Sequence, residues 1–168
     1  MFRDCSNRIK SMALVHEKIF SAPHLAEIDF HDYIHSLTKD LFNSYGVSQD
    51  RVELRIDAQN IPLDIDTGVY LGLIINELVS NALKHAFPGN KKGRIEISFK
   101  SLGGNGFELI VTDDGVGFQN EVNIHNSSSL GLKLVKGLVE EQLSGKIEMG
   151  PEGKTQFNIR ISEKPSDK

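Results

Sequence analysis

The sequence predicts an α+β fold: a two-layer sandwich in which helices cover one face of a mixed, mostly antiparallel sheet. Three observations predict it. Two pairs of alternating apolar segments are each joined by a short turn. RIEISFK (94–100) meets FELIVT (107–112) through Gly103-Gly104-Asn105-Gly106, and residues 146–149 meet 156–161 through Pro151-Glu152-Gly153. Such spacing is the mark of local hairpins. Segments with apolar residues every third or fourth position lie between and before these pairs, as amphipathic helices require. The two hairpins argue against a doubly wound parallel sheet, which would need alternating strand–helix–strand units throughout.

Each element has its own signal. Over residues 3–20, Ile9, Met12, Ala13, His16, Ile19 and Phe20 keep a three-four spacing that Ser21-Ala22-Pro23 breaks. Residues 30–45 form a second amphipathic helix, with Tyr33, Ile34, Leu37, Leu41 and Phe42 inward, Asp29 as N-cap and Gly46 as its stop. Val52, Leu54 and Ile56 alternate in a half-buried strand over 51–57. The run over 66–87 is a long apolar helix that Pro88-Gly89 ends. Residues 115–129 hold Gly, Asn and Ser without firm periodicity and form a mobile loop. A last helix covers 130–143, and the tail from Glu163 is polar and frayed. The expected organisation is a helix end and linker over 1–22, one compact domain over 23–162, and a tail over 163–168.

Composition narrows the function classes. The chain has 168 residues, 39% of them apolar and 25% charged, which is ordinary for a soluble globular protein. A net charge of −4 recommends no nucleic-acid partner. No apolar run reaches the roughly 18 residues that span a bilayer, and no signal peptide is evident. The fragment is therefore expected to be cytoplasmic and to make no membrane contact, which is compatible with a membrane-anchored parent. The one cysteine, Cys5, excludes an internal disulfide.

The chemistry concentrates in four places. In the 66–87 helix, Val69, Leu71, Leu73, Ile74, Ile75, Leu78, Val79, Ala82, Leu83 and Ala86 are apolar almost all round, while Glu77, Asn81 and Lys84/His85 fall on one face. A carboxylate and an amide there need a partner. The Asn81 amide oxygen suits Mg²⁺, which takes oxygen ligands and completes its shell with water and phosphates. Glu77 can hold a metal-bound water or accept a proton, and Lys84 or His85 can meet a phosphate oxygen. The plainer alternative is a polar stripe facing solvent. Asp113, Gly115 and Gly117 in DDGVG put a carboxylate at a strand end, where it can accept from an exocyclic amine such as adenine's. The glycines let backbone approach a flat base; a simple Asp-Gly turn is the alternative. Ser129-Leu130-Gly131-Leu132 opens a helix whose N–H groups favour phosphate, although Ser is also an ordinary N-cap. Thr155 can bond a base or a water, or be a plain hairpin residue.

In order and spacing, these segments resemble the ATP-binding domain shared by gyrase-type topoisomerases, heat-shock chaperone ATPases, sensor histidine kinases and mismatch-repair ATPases. The resemblance covers roughly residues 50–162. NELVSNALKHAF looks like the Asn box, VTDDGVGF the first glycine box and SLGLKLV the second. Residues 7–20, 28–46 and 63–87 extend it to the sensor histidine kinases whose dimerisation and phosphoacceptor domain is of the second type. The resemblance implies the two-layer sandwich of the GHKL (Bergerat) ATPases, with ATP and Mg²⁺ as cofactors. It gives Asn81 to magnesium, Asp113, Gly115 and Gly117 to adenine, Gly131 to phosphate, and Glu77 to the place of the hydrolysing branches' acid.

The implied partners are a phosphoacceptor helix, a response regulator and, for the parent protein, a second protomer of a homodimer. Three departures stand out. Ser127 and Ser129 replace glycines of the second box, the loop is short and lacks an aromatic box, and the acceptor histidine is expected upstream of Met1. His16-Glu17 is a poor substitute, because His16 lies on an apolar stripe. His24, His31, His35 and His125 show no pairing that suggests a metal. An ATP-driven clamp and a non-catalytic nucleotide-binding or dimerising module remain open as alternatives.

Overall fold

The computed structural model describes residues 30–117, 129–151 and 155–162, together with Ser6, Ile9 and Ala13, which are helical. Most of the expected 3–20 helix lies outside the described residues. So do His16, the Asp29 cap, loop residues 118–128, the turn at 152–154 and the tail.

Helix α1 spans Phe30–Tyr45 and ends at Gly46, whose φ of 64° is the left-handed conformation that glycine tolerates. Strand β1 is Val52–Ala58. Helix α2 is Ile65–Asn81, starting one residue before the expected run, with Asp64 as its N-cap. The carboxylate of Asp64 accepts from the Thr67 N–H at 2.9 Å and from the Thr67 hydroxyl at 2.7 Å. The helix continues as a π-helical turn, Ala82–Ala86. Strands β2 (Gly93–Gly103) and β3 (Gly106–Asp113) form the first hairpin. Helix α3 is Leu130–Gly137, followed by a second π turn over Leu138–Gln142. Strands β4 (Lys146–Met149) and β5 (Thr155–Ile161) form the second hairpin.

The sheet order is β1-β2-β3-β5-β4, with β1 parallel to β2 and every other pair antiparallel. The expected α+β sandwich with a mixed, mostly antiparallel sheet is the fold observed. The parallel pair arises because α2 lies between β1 and β2 in the chain and carries it back to the same end of the sheet.

Period-two alternation decides the two faces. Ile95, Ile97 and Phe99 of β2, Phe107, Leu109 and Val111 of β3, and Phe157 and Ile159 of β5 are buried under the helices. On the other face, Arg94 meets Glu53 at 2.9 Å, Lys100 meets Asp57 at 3.0 Å, and Arg160 meets Glu108 at 2.6 Å. Exposed ion pairs of this kind contribute little to stability. Their role is to keep that face wet and polar, so that only one face of the sheet seeks helices.

Helix α1 packs by the residues its periodicity names. Phe30, Tyr33, Ile34, Leu37, Leu41 and Phe42 are buried, and the Phe30 ring lies 4.7 Å from that of Phe99. Against α2, the contact is steric. A Cβ at Gly72 would overlap the Tyr33 hydroxyl, with two further ring atoms inside 3 Å. Tyr33 is fully buried, and burial holds its phenol neutral well above its usual range.

This geometry sets opposite outcomes for two helical glycines. Gly72→Ala should lose about 1–3 kcal/mol in denaturant unfolding, because the core must move to admit the methyl group. Gly137→Ala, where a Cβ would meet nothing within 4 Å, should gain about 0.5–1 kcal/mol from helix propensity. Equal shifts for the two variants would remove the steric account of the α1–α2 contact.

Candidate functional site

The site forms where the C-terminal end of α2 meets the end of β3 and the start of α3. Glu77 and Asn81 sit one turn apart on α2, Glu77 buried and Asn81 half-buried. Gly131, in the first turn of α3, comes so close that a Cβ there would stand 2.5 Å from Glu77 Oε2 and 3.8 Å from Asn81 Nδ2. Sequence separation gives no hint of this contact, which depends on α3 packing its N-terminal turn across α2. Leu132 points into the core, whereas Leu130 is exposed. Ser129 occupies the N-cap position with extended backbone, but its side chain makes no capping bond. The first-turn N–H groups of α3 therefore keep their donor capacity beside Glu77 and Asn81.

Asp113 ends β3 in the inward register of Phe107, Leu109 and Val111, where the next core residue would stand. Its carboxylate accepts from the Gly115 N–H at 3.0 Å. It pairs across the sheet with Thr155, whose hydroxyl also bonds it. Burial pushes the Asp113 carboxyl above its usual range, and the two hydrogen bonds only partly oppose this.

The two clusters are joined through the π turn. Gly115 lies against the Ala86 methyl and carbonyl so closely that no Cβ fits. The Val116 N–H donates to the Ala86 carbonyl at 2.9 Å. Gly117 follows with φ 69°. Two side chains outside the sequence expectation reinforce the junction. Arg51 donates to the Phe87 carbonyl at 2.6 Å, and Asp114 accepts from the Arg94 N–H at 2.6 Å. Arg51 precedes an ordinary strand, and nothing local points to a partner thirty-six residues on. Asp114 was visible only as the second acid of DDGVG.

The expected stripe on α2 divides at the π turn. Glu77 and Asn81 face α3, but Lys84 leans toward α1, its Nζ 5.6 Å from the centre of the Tyr45 ring. The widened turn breaks the three-four spacing that would have stacked it on Asn81. His85 is exposed on the same turn. Among the described residues no three His, Cys, Asp or Glu side chains converge as a metal cage.

A half-buried amide and a buried carboxylate beside a helix N-terminus, with a second buried carboxylate at a strand end, are the parts of a nucleotide-binding ATPase. The chain belongs to that class: residues 67–165 match the histidine kinase-, DNA gyrase B-, and HSP90-like ATPase family. Residues 1–45 match a second family pattern, described as histidine kinase. Among curated relatives, the sensor histidine kinase PdtaS of Mycobacterium tuberculosis is 29% identical over 143 residues, 84% of this chain and 28% of that protein. Blue-light-activated histidine kinase 2 of Erythrobacter litoralis is 27% identical over 89 residues, 53% of this chain and 26% of that one. The chain thus spans about a quarter of the length of these relatives. The histidine kinase domain of the Erythrobacter litoralis EL346 blue-light activated kinase has the same fold, with a TM-score of 0.82 at 22% identity, covering 94% of this chain and 74% of that one.

The raised carboxyl of Asp113 has a defined linkage. Its folded-state affinity for a proton exceeds that of the unfolded chain, so the ionised group costs stability at neutral pH. That cost shrinks as pH falls through the folded value and is gone below the ordinary carboxylate range. Asp113→Asn, which still offers an oxygen to Gly115 and an amide to Thr155, should match or exceed the parent's stability at about pH 7. Its advantage should narrow by about pH 4. Denaturant unfolding at both values checks this. A large loss at neutral pH that persists in acid would contradict the burial penalty.

Proposed function

We propose that this chain is the ATP-binding catalytic portion of a sensor histidine kinase, transferring the γ-phosphoryl group of ATP to a histidine on a phosphoacceptor helix of the same parent or of its partner protomer. The observation that carries the reading is a pair of contacts on neighbouring turns of one helix: Gly131 against Glu77 and Asn81 of α2, and Gly115, beside Asp113 and its partner Thr155, against Ala86 of the π turn that follows. The first group suits a polyphosphate and its cation, the second a base. The domain runs over residues 23–162 in this reading, and the burial of Phe30 and Tyr33 in its core supports counting α1 within it.

Asp113 accepts the exocyclic amine of adenine, and Thr155 holds the carboxylate in place for it. Gly115, locked on Ala86, leaves the base a flat backbone wall. The N–H groups at the start of α3 meet phosphate oxygens, helped by the positive end of the helix dipole. Lys84 supplies cationic reach from the π turn, leaving Tyr45 to do so, and His85 offers a ring nitrogen to a phosphate oxygen. The donor set fits magnesium: one amide oxygen at Asn81 and an acid at Glu77 that can hold a bound water suit an ion that keeps waters and phosphate ligands. The ion would neutralise charge on the transferring phosphoryl group. The protein's part is positioning. The response regulator receives the phosphoryl group afterwards. In this reading the catalytic portion is cytoplasmic and the parent protein is a homodimer.

The buried Glu77 beside Gly131 also favours a second reading, in which the site hydrolyses ATP to drive a clamp. The two readings part on one measurement. Phosphate release with no acceptor present marks the clamp; transfer of label to a supplied acceptor helix, with little release otherwise, marks the kinase.

Mg-ATP at a hundred times its dissociation constant should stabilise the chain by about 2.7 kcal/mol. Asp113→Asn should weaken adenine nucleotides about tenfold or more while sparing bare triphosphate, since it reverses a buried acceptor. Asn81→Ala should instead abolish the difference between ATP with and without magnesium. Calorimetric titration reads both. Indistinguishable effects would undo the division of roles, and no stabilisation at millimolar nucleotide would undo the reading itself.

A further inference from the structure

The histidines expected to be unpaired are not all so. His31 and His35 stand one turn apart on α1, with ring centres 4.6 Å apart and planes tilted by 54°. We propose that this pair is a chelating site for a borderline divalent transition metal such as Zn²⁺, on the solvent face of α1 and separate from the nucleotide site. The inference does not depend on the kinase reading.

Burial fixes the rotation of the helix. Phe30, Tyr33, Ile34 and Leu37 point into the core, so the positions of His31 and His35 are turned outward together. Their separation is the one a shared ion demands. With each nitrogen about 2.1 Å from the metal and an angle between them of about 90–109°, two imidazole centres lie about 4.6–5.3 Å apart. The observed value falls at the lower limit of that range. Asp32 Oδ1 lies 3.4 Å from His31 Nδ1. An Nδ1–H directed at that carboxylate leaves Nε2 as the metal-binding nitrogen, the arrangement by which carboxylates orient ligating histidines.

The ligand chemistry sets the class of ion. Two neutral imidazoles suit Zn²⁺, Cu²⁺ or Ni²⁺ and hold little attraction for Mg²⁺. No third His, Cys, Asp or Glu among the described residues joins them. Water therefore completes the shell, and the ion stays exchangeable. Only the helical form presents both rings at once, so the ion fastens the first turns of α1. That helix is in turn seated on α2 at Gly72.

The test is a Zn²⁺ titration of the whole chain in the absence of nucleotide, followed by calorimetry and thermal unfolding. One saturable ion per chain is expected, with a rise in Tm of about 3–5 °C at ten times the dissociation constant. His31→Gln and His35→Gln should each weaken binding at least tenfold. Both sit on the solvent side of the helix, so their metal-free Tm should match the parent's. His125→Gln should bind as the parent does, and millimolar Mg²⁺ should not compete. Failure of Zn²⁺ to bind saturably overturns the proposal, as does binding that survives the double His31→Gln/His35→Gln variant. Neither result would touch the nucleotide reading, which is checked with ATP.

Discussion

One helix and the turn that ends it meet their neighbours at three points where one partner is a glycine. Tyr33 of α1 fills the place of a Gly72 Cβ, Glu77 of α2 nearly fills that of Gly131, and the Ala86 backbone fills that of Gly115. Protein interiors do not hold unused space of this size, so each contact is all or nothing: a methyl group must push an element away. The first contact seats α1, the second sets the start of α3 beside two polar side chains, and the third presses the end of β3 onto the end of α2. The candidate site is the product of the last two. It would not exist as a constellation if either element stood a carbon atom's width further out.

The π turn converts that packing into a defined backbone junction. A continuous α-helix would keep the carbonyls near its end for its own next turn or for solvent. The widened turn instead presents the Ala86 carbonyl to the Val116 N–H and the Phe87 carbonyl to Arg51. Such turns are uncommon and concentrate where a helix has a task beyond packing. Here the task is to couple two motifs thirty residues apart without an intervening side chain. The same turn sends Lys84 toward Tyr45 at the end of α1 rather than toward Asn81.

The parts that were legible in the sequence are those encoded by short periods. Alternation named the strands of both hairpins, and three-four spacing named the buried face of α1 and the body of α2. DDGVG located Asp113 because a strand pattern ending in an acid is unusual at any register. What escaped notice had no local period to betray it. A π turn differs from an α turn by one hydrogen-bond partner, and ALKHAF reads as helix either way. The parallel pairing of β1 with β2 follows from the path of α2 and not from either strand. Arg51 and Gly131 act on residues far off in sequence. His31 and His35 were visible as i and i+4, yet their mutual contact becomes informative only when the core residues between them fix the helix's rotation.

Asp113 shows how the fold and the proposed function pull against each other. Alternation along β3 assigns its position to the core, where a valine or leucine would cover more apolar surface with no charge to bury. The protein places a carboxylate there and supports it with one backbone N–H and one hydroxyl, too little to restore its ordinary acidity. For stability alone this is a poor choice at neutral pH. It becomes a useful one if the remaining acceptor capacity is reserved for a donor that arrives with a ligand. A preorganised, incompletely satisfied acceptor binds such a donor without first giving up water. The stability withheld from the empty fold is then available as selectivity for the nucleotide that carries the matching amine.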